Sequence, residues 1–382
     1  MRNPFGALSL AVAATFAVTL SGGCTEADRA RPEVPRLVAT VASNAITTDR
    51  ASNEPARSVV LVAIDSVRYQ EVFLGVDPEL AERYHVPAEE RLDAAHLVPN
   101  LHRLMTVEGA AVGAPGAGSP MESSGPNFVS LPGYMEMLTG RPDSGCTNND
   151  CGRVPFPTIA DDVAWNRLGT AAVIASWTGI GRAASAYASG AVVSVGRHEG
   201  VGRDAFERDP DLARHLHDAE SATPFPGGGD YRPDRFTAEL AVSYLERQRP
   251  GFLFVGLGDT DEYGHQSAYR AYLHALHDAD RTVGALYDIV ARRNEAGSPS
   301  TLFVTTDHGR ADTFTSHGSE YPESSRVFLV AAGAGIRSRG IVPSEVPRKL
   351  SDVSQTIRAV VGLPLIVAPT PGHVLTELLS PT

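Results

Sequence analysis

The chain has 382 residues, 42% of them apolar and 20% charged. That is enough for one large α/β domain, or two small ones, with an ample core. A formal net charge of −12 excludes a sequence-independent nucleic-acid binder, which needs a basic face to displace phosphate counterions. The acidity does not bear on small anionic substrates, because bound cations would dominate the local field.

Arg2, an apolar run over 7–20 and the small residues Ser21, Gly22 and Gly23 before Cys24 predict a targeting segment over 1–24. The pattern is similar to a bacterial lipoprotein signal, in which Cys24 is the lipidated residue. An ordinary secretory signal cut nearby is the alternative. Either reading predicts export; the first gives a periplasmic or cell-surface protein that meets the membrane only through its lipid anchor. No later segment has the ~20 consecutive apolar residues of a transmembrane helix. Residues 25–56, rich in Ala, Thr, Pro, Arg, Ser and Glu without periodicity, read as a flexible tether. The folded domain is expected over 57–380.

It opens with a continuous apolar run at 58–64, of the kind that forms a parallel strand covered on both faces. Gly, Ala, Pro and Ser over 113–126 predict a loop, followed by a helix over 131–139 that Gly140 stops. Ser130 is placed as its N-cap, with Pro132 tolerated in the first turn. Cys146 and Cys151 follow. In an exported protein they are expected to form a disulfide, since no second cysteine pair or nearby histidine completes a two-thiolate metal site. Further strands of the same type are predicted at 171–176, 191–195, 252–257, 301–306 and 327–331. The charged segment 196–233, with its Pro-Gly-Gly-Gly run, reads as an insert or partial lid. The clearest helix runs over 267–292, where Tyr269, Tyr272, Leu273, Leu276, Val283, Leu286, Tyr287 and Val290 keep helical spacing. Strand–helix alternation predicts an α/β fold, a mostly parallel central sheet covered by helices on both faces.

In such sheets ligands bind beyond the carboxyl ends of the strands. Asp65, Asp261 and Asp307 all fall there, with His265, His308 and His317 close behind two of them. Each alone is ordinary: a strand-end Asp caps turns, and a lone His is commonly structural. Together, three carboxylates and three imidazoles supply enough ligands for two metal sites. Ser130 has the bland role of a cap. At a helix N-terminus facing an anion, it also lies in the place of a nucleophile. On the long helix, His274, His277, Asp278 and Asp280 fall on polar faces and predict solvation or capping. Arg141 and Arg310 flank the key motifs and are assigned no catalytic role. Asp259 is a decoy for Asp261.

From about 58 to 363 these motifs resemble the alkaline phosphatase superfamily, especially its nucleotide pyrophosphatase/type I phosphodiesterase-like branch. The stretches that carry the resemblance are Val-Ala-Ile-Asp65, Ser130-Leu-Pro-Gly-Tyr-Met-Glu-Met-Leu-Thr-Gly140, Asp261-Glu-Tyr-Gly-His265, Thr-Thr-Asp307-His308-Gly and His317-Gly, with 351–364 similar to the family's closing helix. The resemblance implies a three-layer sandwich and two divalent metal ions. Zn²⁺ fits the mixed ligands, with Mn²⁺ or Fe as alternatives. One site would use Asp65, Ser130, Asp307 and His308, the other Asp261, His265 and His317. It also implies an exported hydrolase of small phosphoric monoesters or diesters, acting through a metal-bound serine and a phosphoserine. Tyr134 stands where formylglycine sulfatases carry arginine, which speaks against that chemistry. Relatives place a substrate-binding asparagine near Asn148 and Asn149; the alternative is a polar turn linking the cysteines. Other readings are a phosphoryl transferase or mutase, a sulfate or phosphonate ester hydrolase of the same superfamily, and a non-catalytic surface lipoprotein.

Overall fold

The computed structural model describes residues 57–187, 190–367 and 369–380. The signal segment 1–24 with Cys24, and the tether 25–56, lie outside the described residues.

The strands are β1 Ser58–Ile64, β2 Gly109–Val112, β3 Met121–Glu122, β4 Ala171–Ala175, β5 Val192–Val195, β6 Glu199–Val201, β7 Phe252–Leu257, β8 Ser300–Thr305, β9 Arg326–Val327, β10 Leu329–Gly333, β11 Gly340–Ile341 and β12 Arg348–Lys349. Nine form one sheet in the order β11-β2-β10-β8-β1-β7-β4-β5-β6. Its centre is parallel: β1 lies between β7 and β8, β4 joins β7, and β5 joins β4. The expected α/β architecture, mostly parallel with helices on both faces, is what the chain adopts.

Burial on both faces explains why β1 is apolar throughout. Val60, Val62 and Ile64 enter a core with Tyr272, Leu276, Val283 and Leu286 of the long Tyr269–Glu295 helix. Val59, Leu61 and Ala63 enter the opposite core with Leu131, Tyr134 and Leu138 of the Ser130–Thr139 helix. A period-2 strand serving two cores has no solvent side on which to place polar residues.

Three expectations change. The run 327–331 is not another parallel strand: it breaks at Phe328 into β9, in a small sheet with β3 and β12, and β10, antiparallel to β8 and β2. Thr305 Oγ1 donates to the Phe328 carbonyl at 2.5 Å, so that carbonyl is turned out of the ladder. Ser130 is not the N-cap. Val129 takes that position without a side-chain capping bond of its own, and Ser130 is the first residue of the helix. The segment 196–233 also extends the sheet, through β6 antiparallel to β5, before the Pro210–Ser221 helix. Its later part reaches the Asp259–His265 helix, where Gln266 Nε2 donates to the Pro226 carbonyl at 2.9 Å and Phe225 packs edge-on to Tyr263.

The polar residues of the long helix have structural partners. Asp280 accepts the N–H groups of Asn100 and Leu101 at 3.0 and 2.7 Å, and His277 Nδ1 meets the Leu97 carbonyl at 2.8 Å. Cys146 and Cys151 form a disulfide, with Cα atoms 5.5 Å apart. Among the described residues no helix is long and apolar enough to cross a membrane.

The helix that starts at Ser130 packs directly on the end of β8. A Cβ on Gly133 would lie 2.5 Å from the Asp307 carbonyl oxygen, a backbone atom that cannot give way. Gly133→Ala is therefore expected to destabilise the domain by about 1–3 kcal/mol and to move the helix off Asp307. Denaturant unfolding checks this; an unchanged midpoint would contradict the close approach.

Candidate metal centre and nucleophile

Parallel register brings the site together. Ile64 pairs with Leu257, and Ala63 with Thr305, so the three chains leave the sheet at one level on adjacent strands. Asp65 still donates its N–H to the Leu257 carbonyl at 2.8 Å. The chain then turns sharply at Ser66, with φ 56°, an uncommon conformation for a non-glycine residue that recurs at functional sites. The turn aims the Ser66 N–H at Asp307 Oδ1, 3.0 Å away.

The first cluster is Asp65, Asp307 and His308, all buried, with ligand atoms within 4.8 Å of one another. Tyr134 donates its hydroxyl to Asp65 Oδ2 at 2.9 Å. Asp65 Oδ1 is left 3.7 Å from His308 Nε2. Asp307 Oδ2 is buried without a hydrogen-bond partner, 3.5 Å from the same nitrogen. His308 Nδ1 faces the Gly309 carbonyl at 2.8 Å, which requires the proton there and leaves Nε2 as a lone pair. Ser130 Oγ lies 3.5 Å from Asp65 Oδ1 and 3.4 Å from His308 Nε2. Free of capping duty, the hydroxyl faces the cluster.

The second cluster is Asp261, His265 and His317, again with ligand atoms within 4.8 Å. His317 Nδ1 donates to the Phe128 carbonyl at 2.9 Å, so its Nε2 is also a lone pair, 3.1 Å from His265 Nε2 and 3.6 Å from Asp261 Oδ1. His265 Nε2 is 3.2 Å from Asp261 Oδ2. The rings of His308 and His317 stack with centroids 4.2 Å apart and join the clusters.

The electrostatics fit cations. Burial, then the carboxylates of Asp307 and Asp261, push the Asp65 carboxyl well above the usual range. Burial pushes Asp307 up to about 7. Burial lowers His308 to about 4 and His317 to about 3, so both imidazoles are neutral ligands at ordinary pH. Burial also opposes the charge on Asp261, but the His265 hydrogen bond, Arg310 and His317 together outweigh it and hold Asp261 well below the carboxylate range. Hydrogen bonding to Asp261 raises His265. Two neighbouring buried carboxylates, one with an orphaned oxygen, and imidazole lone pairs turned inward form a donor set suited to divalent metal.

Asn149 and Asn148 part company. Asn149 Oδ1 accepts the Leu131 N–H at 2.9 Å, next to Ser130, whereas Asn148 Oδ1 closes a local turn on the Asp150 N–H at 2.8 Å. Asp259 belongs to neither cluster and accepts the Tyr231 hydroxyl at 2.6 Å. The guanidinium of Arg141 lies over the Phe156 ring.

Two neighbours of the site, Arg310 and Tyr134, contact its carboxylates in ways that the motifs do not reveal. Arg310 is buried; its Nη1 donates to Asp261 Oδ1 at 2.6 Å and to Ser66 Oγ at 2.7 Å. Gly264 makes room for it, since a Cβ there would lie 2.3 Å from the guanidinium carbon. Tyr134, which holds Asp65, stands four residues after Ser130, and that spacing on a helix places both on one face.

Comparison with known proteins agrees with this geometry. Residues 233–364 match the model of the Metalloenzyme superfamily. Among solved structures, a protein in the alkaline phosphatase superfamily from Vibrio parahaemolyticus aligns with TM-score 0.55 at 15% identity, over 86% of this chain and 71% of that one. Wild-type alkaline phosphatase PafA aligns at 0.54 and 12% identity, over 86% of this chain and all of its own. The fold is that of the alkaline phosphatase superfamily. A 2-O GAG sulfatase shares it at TM-score 0.52 and 13% identity, over 85% of this chain and 74% of its own. Among curated proteins, the 2,3-bisphosphoglycerate-independent phosphoglycerate mutase of Thermomicrobium roseum is 28% identical over 161 residues. That match spans 38% of this chain and 30% of the mutase. The corresponding mutase of Symbiobacterium thermophilum is 21% identical over 138 residues, 35% of this chain and 26% of its own. The matched segments thus cover less than a third of these mutases' length.

The match to the Metalloenzyme superfamily and the two ligand groups support divalent metal binding, which has a measurable consequence. A carboxyl whose folded pKa is raised stabilises the fold only while it keeps its proton. For Asp307 that contribution is lost as pH rises through about 7. Bound Zn²⁺ would replace the proton, and its affinity rises with pH as the ligands deprotonate. The thermal-midpoint gap between zinc-loaded and chelator-treated protein is expected to widen from about pH 6 to about pH 8. Scanning calorimetry checks this; a gap that is constant or narrows would contradict it.

Proposed function

We propose that the chain is an exported hydrolase of small phosphoric esters with Ser130 as nucleophile. The observation that carries the reading is the placement of Ser130 Oγ at the start of a ten-residue helix, 3.4 Å from His308 Nε2 and 3.5 Å from Asp65 Oδ1. The helix N-terminus offers partial positive charge to a phosphoryl group at that point.

Asp65, Asp307 and His308, with Ser130, would hold one divalent cation, and Asp261, His265 and His317 the other; imidazole and carboxylate donors favour Zn²⁺, with Mn²⁺ or Fe as alternatives. When bound, such cations supply Lewis-acid charge against the phosphoryl oxygens. The chain's own residues do the rest. Tyr134 and Ser66 fix the orientations of Asp65 and Asp307, and Asp65 Oδ1 accepts the hydroxyl hydrogen of Ser130. Ser130 Oγ forms the new bond to phosphorus as the bond to the leaving oxygen breaks, in line, and the proton given up by Ser130 ends on the departing alcohol. Water then cleaves the phosphoserine and regenerates the hydroxyl. Asn149, tied to the Leu131 N–H, is the better placed of the two asparagines to present an amide to the substrate.

The motif resemblance favours the phosphodiesterase-like branch. Tyr134, engaged with Asp65, stands where formylglycine chemistry needs arginine, and this supports a phosphate over a sulfate ester. The mutase matches support a second reading in which the phosphoserine passes to an alcohol instead of water. Export rests on the targeting pattern over 1–24, with lipidation at Cys24, and is supported by the Cys146–Cys151 disulfide.

Zinc-loaded protein is expected to hydrolyse 4-nitrophenyl phosphate or bis(4-nitrophenyl) phosphate faster than 4-nitrophenyl sulfate. Ser130→Ala should lower that rate by about 10³-fold or more while keeping most of the bound zinc. Full activity in this variant removes Ser130 from the mechanism; a preference for the sulfate removes the phosphoester assignment.

A further inference from the structure

The carboxyl edge that carries both clusters continues beyond them. In the sheet, β4 and β5 lie one and two places past β7, about 5 and 10 Å away at ordinary strand spacing. Beside them, along β5 and β6 and the turn that follows β4, opens a cavity of about 640 Å³, lined among others by Arg153, Thr178, Arg182, Val193, Val195 and His198.

Its charge is unusual for so acidic a chain. Arg182 donates from Nη1 to the Cys151 carbonyl at 2.8 Å and from Nη2 to the Asn149 carbonyl at 2.7 Å. Arg153 donates to the Ser185 carbonyl at 2.9 Å. Neither guanidinium is paired with a carboxylate among the described residues. Main-chain carbonyls fix their positions and leave their positive charge unneutralised. His198, by contrast, is paired with Asp230, and Glu199 stands exposed at the rim.

A chain of contacts links the cavity lining to the surroundings of Ser130. Asn149, whose carbonyl holds Arg182, accepts through Oδ1 the N–H of Leu131, next to Ser130. Trp177, next to Thr178 of the lining, packs on Tyr134 with ring centroids 6.4 Å apart. Two hydrogen bonds through Asn149 thus separate Arg182 of the cavity lining from the residue that follows Ser130.

We propose that this cavity is the subsite for the alcohol portion of an ester with its phosphorus at Ser130, and that it selects phosphoesters whose alcohol carries a second anionic group, held by Arg153 and Arg182. Guanidinium forks suit a second phosphate or carboxylate, while Val193 and Val195 supply apolar contact for the carbon chain between the charges. The inference rests on the phosphoester reading and names the substrate class for the same site.

The test is calorimetric titration of full-length, zinc-loaded Ser130→Ala protein, which binds without turnover. The probes are hexyl phosphate, ethane-1,2-diyl bisphosphate and hexane-1,6-diyl bisphosphate; the two bisphosphates carry equal charge over different reach. Hexane-1,6-diyl bisphosphate is expected to bind about tenfold or more tightly than either of the others. Adding Arg153→Ala or, separately, Arg182→Gln should shrink that advantage to less than about threefold. Equal affinity for the two bisphosphates, or an advantage that survives both substitutions, overturns the subsite. Absence of binding by all three ligands overturns the phosphoester reading with it. Tight hexyl phosphate binding without discrimination between the bisphosphates overturns the subsite alone.

Discussion

Everything in the site depends on β1 being held between β7 and β8 in parallel register. That pairing forces Asp65, Asp261 and Asp307 to leave the sheet at adjacent positions of one edge. Hydrophobic burial on both faces of β1 drives the pairing, and the carboxylates arrive with it. Burial first, and then repulsion from neighbouring carboxylates, push the Asp65 and Asp307 carboxyls up. A fold that buries acids side by side must supply either protons or cations. The inward lone pairs of His308 and His317, each fixed by a carbonyl at Nδ1, favour cations.

The two clusters are stabilised differently. Asp65 and Asp307 are oriented by neutral donors, the Tyr134 hydroxyl and the Ser66 N–H, and their repulsion is left for the ligand to relieve. Asp261 instead has a resident cation in Arg310, with His265 and His317 close by, and stays ionised. The same guanidinium also holds Ser66 Oγ, so Arg310 braces the turn that orients Asp307 as well as the ligand it touches. Removing it would disturb both clusters at once.

Much of this was legible in the sequence because the signals were local and redundant. Strands buried on two faces read as unbroken apolar runs, and β1, β7 and β8 were visible to within a residue at each end. The long helix showed its period, although Asp280 near its middle is buried as a cap for another segment where solvation was an equal reading. The ligands stood at strand ends, where a parallel sheet gathers polar chemistry. What failed depends on partners far away in sequence. The direction of β10 follows from its place between β8 and β2, and nothing in its own residues encodes that. The role of Arg310 is not legible in sequence because a buried arginine reads as a surface one until Asp261 and Gly264 are seen around it. Ser130 looked like a cap by residue type, yet Val129 takes that position and the hydroxyl is left for the site.

The central claim is that the paired strand ends gather six protein donors around two divalent cations. Anomalous diffraction at the zinc edge, from crystals of zinc-loaded protein, tests it most directly. The account predicts one peak within bonding distance of Asp65, Asp307 and His308, and a second within bonding distance of Asp261, His265 and His317. Peaks elsewhere, or no ordered zinc beside Asp307 Oδ2, would contradict it.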